Sequence, residues 1–192
     1  SPEFAVSIAG GPVVLDVYNR AMEKDIVVVI TLSLIVIALF LALLFRNIPG
    51  VLLPEMIIMS ALLSTAGLIS IFNVSIKLTT IVLPGFLLAV SVGYAVHILT
   101  IFFMQYDGGS SREDAIAYAV GHSGLAVVLT AITTAASLLS FSFAELTAIA
   151  DLGFFGAAGV LLAMIYTFLM LPPCIALFPF KRNKVAHEAT PS

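Results

Sequence analysis

One histidine, His97, falls inside an otherwise apolar run, Ile81 to Met104. Gly93 lies four residues before it and Tyr94 three before it. At helical spacing these residues share one face. An imidazole placed in hydrocarbon is expensive and must find a partner. His97 therefore has two readings. It could relay protons or bind a ligand, or it could be a neutral ring hydrogen-bonded to a neighbouring helix. A second apolar run, Gly124 to Ala144, carries Thr130, Thr133, Thr134, Ser137 and Ser140 at helical spacing. This hydroxyl stripe could face a polar path. Equally, it could bond across helices or to its own backbone carbonyls.

The remaining candidates point to packing more than to chemistry. Gly153, Gly156 and Gly159 give one helix a narrow face on which a second backbone can approach closely. Glu55 follows Pro54 near a span end and is expected to snorkel to the interface. Glu145 and Asp151 flank a short turn and are expected to be solvated. His122 stands beside Ser123, but adjacent side chains do not face each other on a helix. The sequence holds no Gly-x-Ser-x-Gly elbow, His-Glu-x-x-His pair or P-loop. It therefore reads as a non-enzyme, with no cofactor expected. The single cysteine, Cys174, excludes an internal disulfide and a cysteine metal cluster.

The elements that position these residues follow from composition. Of 192 residues, 61% are hydrophobic and 10% charged, where a soluble domain carries about 25% charged residues. A water-soluble globule cannot hide that much apolar surface. A soluble enzyme, a nucleic-acid binder with its basic face and a disordered chain are all excluded. The expectation is an all-α polytopic membrane protein. A net charge of −3 suggests no polyanionic partner, and without Trp the interface anchors must be Tyr, Lys and Arg.

A bilayer core of about 30 Å needs about 20 helical residues. Five spans meet this length, at about 26–45, 51–72, 81–104, 124–144 and 152–180. The last includes Pro172 and Pro173 in its final third. Barrel strands are excluded because they alternate in polarity over about 10 residues, whereas these runs are continuous. Between the third and fourth spans, Asp107-Gly108-Gly109 signals a turn. Ser110 with Glu113 fits a capping box that opens a short surface helix over about 111–120. Near the start, Phe4-Ala5-Val6-Ser7-Ile8 reads as a short strand ending in a turn at Gly10-Gly11-Pro12. No secretory signal is visible there.

An odd number of spans puts the two ends on opposite sides. Arg20, Lys24 and Lys77 fall on the starting side. Arg46, Arg112, Lys181, Arg182 and Lys184 fall on the other. Basic residues mark the cytoplasmic face. The N-terminus is thus expected outside, and both 105–121 and the tail 181–192 in the cytoplasm.

The order of these features resembles the resistance-nodulation-division (RND) superfamily, and within it the MMPL-type lipid and hopanoid exporters, whose membrane core is shared with sterol-sensing domains. Ile8-Ala9-Gly10-Gly11-Pro12 looks like the end of the family's periplasmic porter domain. Phe45-Arg46-Asn47-Ile48-Pro49-Gly50 is similar to the loop after the second family helix. Leu83-Pro84-Gly85-Phe86-Leu87-Leu88-Ala89-Val90, running to Val96-His97-Ile98-Leu99, resembles the fourth. Gly108-Gly109-Ser110-Ser111-Arg112-Glu113-Asp114-Ala115-Ile116 resembles the cytoplasmic helix, and Leu129-Thr130-Ala131-Ile132-Thr133-Thr134-Ala135 the fifth. Each motif alone is moderately specific; five in order are strong.

The resemblance implies helices two to six of one six-helix half, with residues 1–25 as the porter-domain end and membrane entry and 26–180 as the membrane domain. The first helix, most of the periplasmic domain and the second half would then be partners outside this fragment, which could also self-associate. It further implies a bacterial inner-membrane transporter module that exports a hydrophobic or lipid-like substrate. Tyr94, His97, Thr130 and Thr134 match the family's relay neighbourhood. The family's Asp, four or three residues before the His, is replaced here by Gly93 and Tyr94. Ion-gradient coupling would then pass through the other half. That departure gives weight to an alternative, a non-transporting lipid- or sterol-sensing domain. A protein-translocation accessory fits the motifs less well.

Overall fold

A computed structural model describes residues 11–74, 78–178 and 180. Five helices carry the chain: α1 (Gly11–Phe45), α2 (Ile48–Ile71), α3 (Leu78–Asp107), α4 (Arg112–Leu139) and α5 (Thr147–Leu177). A 3-10 turn, Ser140–Phe143, follows α4. No strand occurs among the described residues. The proposed strand at Phe4–Ile8, Lys77 and the basic tail from Lys181 lie outside them. All five helices are long and apolar enough to cross a bilayer, as the sequence predicts.

Four boundaries differ from expectation. Gly11 and Pro12 open α1 instead of forming a turn; Pro at the start of a helix loses no intrahelical hydrogen bond. The surface helix expected at 111–120 is not separate. It is the first third of α4, which runs unbroken from Arg112 to Leu139. Gly121 and Gly124 do not interrupt it. Phe168 of α5 packs over Gly124, 3.4 Å from where a Cβ would stand. The cap sits one residue later than predicted. Ser111 Oγ accepts the Asp114 N–H at 3.1 Å and donates to Asp114 Oδ2 at 2.6 Å. Ser110 is occupied in the preceding turn, where its N–H donates to the Gln105 carbonyl behind Gly109 at φ +103°. Finally, α5 begins five residues before Leu152 and ends at Leu177 rather than Phe180. Pro172 and Pro173 lie inside it. They remove two backbone donors without ending the helix.

The packing is that of a bundle built around α3 and α5. Helix α5 contacts α2, α3 and α4, and α3 contacts all four others. Among the described residues, helix α1 touches only α2 and α3. It docks by its last turns, where Leu41 and Phe45 are buried. Further back, Val27, Leu32, Ile35 and Leu39 are exposed. So large an apolar face belongs in lipid or against another protein. Aromatic rings close the end where α1 docks. Phe103 lies 5.2 Å from Phe45 and 5.5 Å from Phe180, and Phe102 stacks on Tyr106 at 5.4 Å.

Without water to drive apolar contact, helices associate in lipid through close packing. Helix α5 supplies it. A Cβ on Gly153 would stand 2.5 Å from the Leu138 carbonyl oxygen and 2.8 Å from Phe141 Cβ. One on Gly159 would meet Leu87 at 2.7 Å and Thr65 Oγ1 at 2.9 Å. Gly156 is buried beside Gly153 against Leu138 of α4, so the three glycines serve two contacts rather than one face: Gly153 and Gly156 meet α4, and Gly159 meets α2 and α3.

Candidate functional site

Helices α3 and α4 run side by side and enclose a cleft of about 220 Å³. Gly93, Tyr94 and His97 line it from α3, and Thr130 and Thr134 from α4. The four residues singled out in the sequence are thus brought to one place. Their environments differ. Tyr94 is 3% exposed, and its hydroxyl has no hydrogen-bond partner among the described residues. His97 and Thr130 are exposed, and Thr134 is half-buried. A Cβ at Gly93 would meet nothing within 4 Å, so packing does not demand glycine there. No carboxylate lines the cleft.

His97 makes no hydrogen bond to a neighbouring helix among the described residues, contrary to one of its two readings. The hydroxyl stripe is likewise not a set of bonds between helices. Thr130 donates to the Ala126 carbonyl at 2.8 Å, Thr133 to Leu129 at 2.9 Å and Ser137 to Thr133 at 2.8 Å. Each hydroxyl is satisfied within its own helix, and all three residues are exposed. Together with His97 they form a polar strip on the outside of the bundle. The hydroxyls, bonded to their own backbone, are tolerated against acyl chains, whereas the His97 imidazole is costly there and is suited to another protein surface or water.

Two other predicted environments are refined. Glu55 is half-buried in α2. Glu145 is exposed, but Asp151 is half-buried and lines a small cavity with Ile69, Val74, Leu83 and Phe155.

Sequence reasoning missed a larger cleft. About 610 Å³ opens between α1, α2 and α3, lined by Ile26 and Ile30, by Met59, Leu63 and Ile69, and by Leu83. Among the described residues no charged side chain lines it. Its polar lining is sparse: Thr65, whose hydroxyl bonds the Ala61 carbonyl, and Ser70 and Asn73 at the end of α2. The cleft exists because, among the described side chains of α1, only Leu41 and Phe45 are buried against the bundle. Its earlier turns, at Ile26 and Ile30, border open space. From Ile26 to Phe45 the sequence of α1 is uncharged, with apolar residues on every side, so no periodicity marked which face would border a cleft.

The sequence model of the MMPL family matches residues 1–188. The chain belongs to the MMPL family. Two similar proteins place this member further. One, of Methanocaldococcus jannaschii, is described only as a membrane protein. It is 24% identical over 176 residues, covering 92% of this chain and 45% of its own. The other is the mycolic acid-containing lipids exporter MmpL11 of Mycolicibacterium smegmatis. It is 24% identical over 175 residues, covering 88% of this chain and 18% of its own. The MMPL chain thus spans less than half the length of either relative. Its five apolar helices make it a multi-pass membrane protein.

Proposed function

We propose that this MMPL chain is the membrane-spanning part of a transporter that moves a hydrophobic or lipid-like substrate across a bacterial inner membrane. The observation that carries this reading is the apolar cleft of about 610 Å³ between α1, α2 and α3. Pockets of about 300–1,000 Å³ suit small organic ligands, and an uncharged lining suits a lipid tail. The similarity to a lipid exporter supports the same substrate class.

The polar strip of His97, Thr130, Thr133 and Ser137 would face the second half of the transporter. In this reading Tyr94 and His97 serve as hydrogen-bonding residues at that contact. A membrane carboxylate able to take up and release protons would come from the other half, because none lines the α3–α4 cleft. The N-terminus would be periplasmic and the C-terminus cytoplasmic. The same absence of a carboxylate favours a second reading, a lipid-sensing domain that binds without transporting.

The test is photocrosslinking of the full-length protein with a phospholipid carrying a diazirine in its acyl chain. Labelling should concentrate at Met59, Leu63 and Ile30. Equal labelling of the outer face of α1, at Leu32 and Leu39, would sink the proposal. Labelling of the cleft without lipid movement in reconstituted vesicles would select the sensing reading.

A further inference from the structure

The turn between α1 and α2 is two residues long, Arg46 and Asn47, and both line a separate cleft of about 330 Å³. Ala42, Ile48 and Val51 form the rest of its lining. One side of this cleft is therefore cationic and amide-bearing, and the other is aliphatic. We propose that it binds the phosphate group of an anionic phospholipid, with Arg46 as the principal contact. This site stands apart from the transport reading and does not rest on it.

Charge is the first argument. Arg46 is exposed and makes no ion pair with any described residue. The cleft contains no carboxylate to compete for it. A guanidinium presents planar paired donors that match phosphate oxygens. By contrast, Arg112, near the same end of the bundle, is occupied: it donates to the Ala176 carbonyl at 2.9 Å.

Hydrogen bonding is the second. The Asn47 side-chain nitrogen is buried and has no acceptor among the described residues. Asn47 is also the N-cap of α2, yet its side chain makes no capping bond. An amide donor without an acceptor and an N-cap residue without a side-chain capping bond thus lie at one cleft with an unpaired guanidinium. A phosphate would pair with the guanidinium and, once the buried amide turns toward the cleft, accept from it as well.

Depth is the third argument, and it selects a lipid over a free anion. The apolar segment of α1 is 22 residues, Lys24–Phe45. At about 1.5 Å per residue this spans roughly the hydrocarbon thickness. Arg46 follows directly, and α2 re-enters at Ile48. The pair thus sits at the level of lipid phosphates. Ile48 is 77% exposed beside them, and Ala42 and Val51 lie deeper, where glycerol and the first methylenes would rest. Basic pockets at helix ends on one membrane face are the usual form of such headgroup sites.

The test uses the full-length protein purified in detergent. Its affinity for short-chain phosphatidylglycerol is measured by thermal shift and by retained lipid in native mass spectrometry. Phosphatidylcholine of the same chain length and inorganic phosphate are the comparison probes. Phosphatidylglycerol should bind best, and Arg46→Gln should weaken it about tenfold or more, the loss expected for one charge-assisted contact. Asn47→Ala should weaken it by less, and Arg46→Lys should retain part of the affinity. Lys24→Gln, at the opposite end of the apolar segment of α1, should change nothing. Equal binding by Arg46→Gln and the parent, or by phosphatidylcholine and phosphatidylglycerol, would overturn the proposal. Inorganic phosphate binding as well as the lipid would overturn the lipid assignment and leave an anion site.

Discussion

The hydroxyls of Ser64 and Tyr166 lie 2.6 Å apart and join α2 to α5 across 102 positions of sequence. It is a side-chain bond between two spans, in a part-buried position. Hydrogen bonds between membrane helices contribute about 0.6–2 kcal/mol. Tyr166→Phe and Ser64→Ala should each lower stability by about that amount, and the double variant by little more than either. A double-mutant cycle of unfolding in mixed micelles measures this. Additive losses would show that the two hydroxyls act separately.

Close packing gives a sharper contrast between glycines. Gly153→Ala places a methyl against the Leu138 carbonyl and Phe141, which cannot both move aside cheaply. It should cost about 1–3 kcal/mol, the range for overpacking. Gly121→Ala has nothing within 4 Å, and should be neutral or stabilising by up to about 1 kcal/mol. Thermal unfolding in detergent compares the two. Equal effects would contradict the packing described for α5.

The membrane spans were legible because composition sets them. Runs of about 20 apolar residues have one stable answer in lipid. Small residues at helical spacing in α5 mark close approach, but not which neighbour each meets: Gly153 and Gly156 pack on Leu138, and Gly159 on Leu87 and Thr65. The convergence of Tyr94, His97, Thr130 and Thr134 was readable only through family resemblance, since nothing in their spacing says that α3 lies beside α4. The α1–α2–α3 cleft was not readable at all. It depends on how α1 leans against the bundle, and from Ile26 to Phe45 α1 carries apolar residues on every face. The continuity of α4 was not legible because the apolar run begins only at Gly124, so the polar stretch before it reads as a separate surface helix, and Gly121 and Gly124 are poor helix formers. In an apolar setting with few competing hydrogen-bond partners the helix persists through them, and Gly124 instead admits Phe168.

The exposed polar strip predicts a division between folding and assembly. His97 has no partner among the described residues, and Thr133 is satisfied by its own helix. His97→Ala and Thr133→Val should therefore change the stability of this chain by less than about 0.5 kcal/mol. If the strip faces another protein surface, the same variants should weaken that association in the full-length protein or between copies. Thermal shift measures the first effect and crosslinking yield the second. A large loss of folded yield with intact association would contradict the assignment.

Orientation can be checked by labelling. Cys174 is the single cysteine, so a Cys174→Ser background makes any new cysteine unique. Ser110→Cys lies between α3 and α4, on the side expected to be cytoplasmic from its Lys and Arg excess. An impermeant maleimide should label it only after the cells are opened. Labelling of intact cells' periplasmic face would reverse the topology.

The most direct measurement of the central claim is lipid movement in vesicles reconstituted with the full-length protein, comparing the parent with Ala66→Trp. Ala66 lines the α1–α2–α3 cleft and is exposed toward it, so an indole there should fill much of the opening without burying a clash. Leu169→Trp, exposed on α5 and away from that cleft, is the control. Lipid transfer should be at least about tenfold slower for Ala66→Trp, equivalent to about 1.4 kcal/mol, with Leu169→Trp close to the parent and both folded. Parent-like transfer by a folded Ala66→Trp protein would contradict the claim.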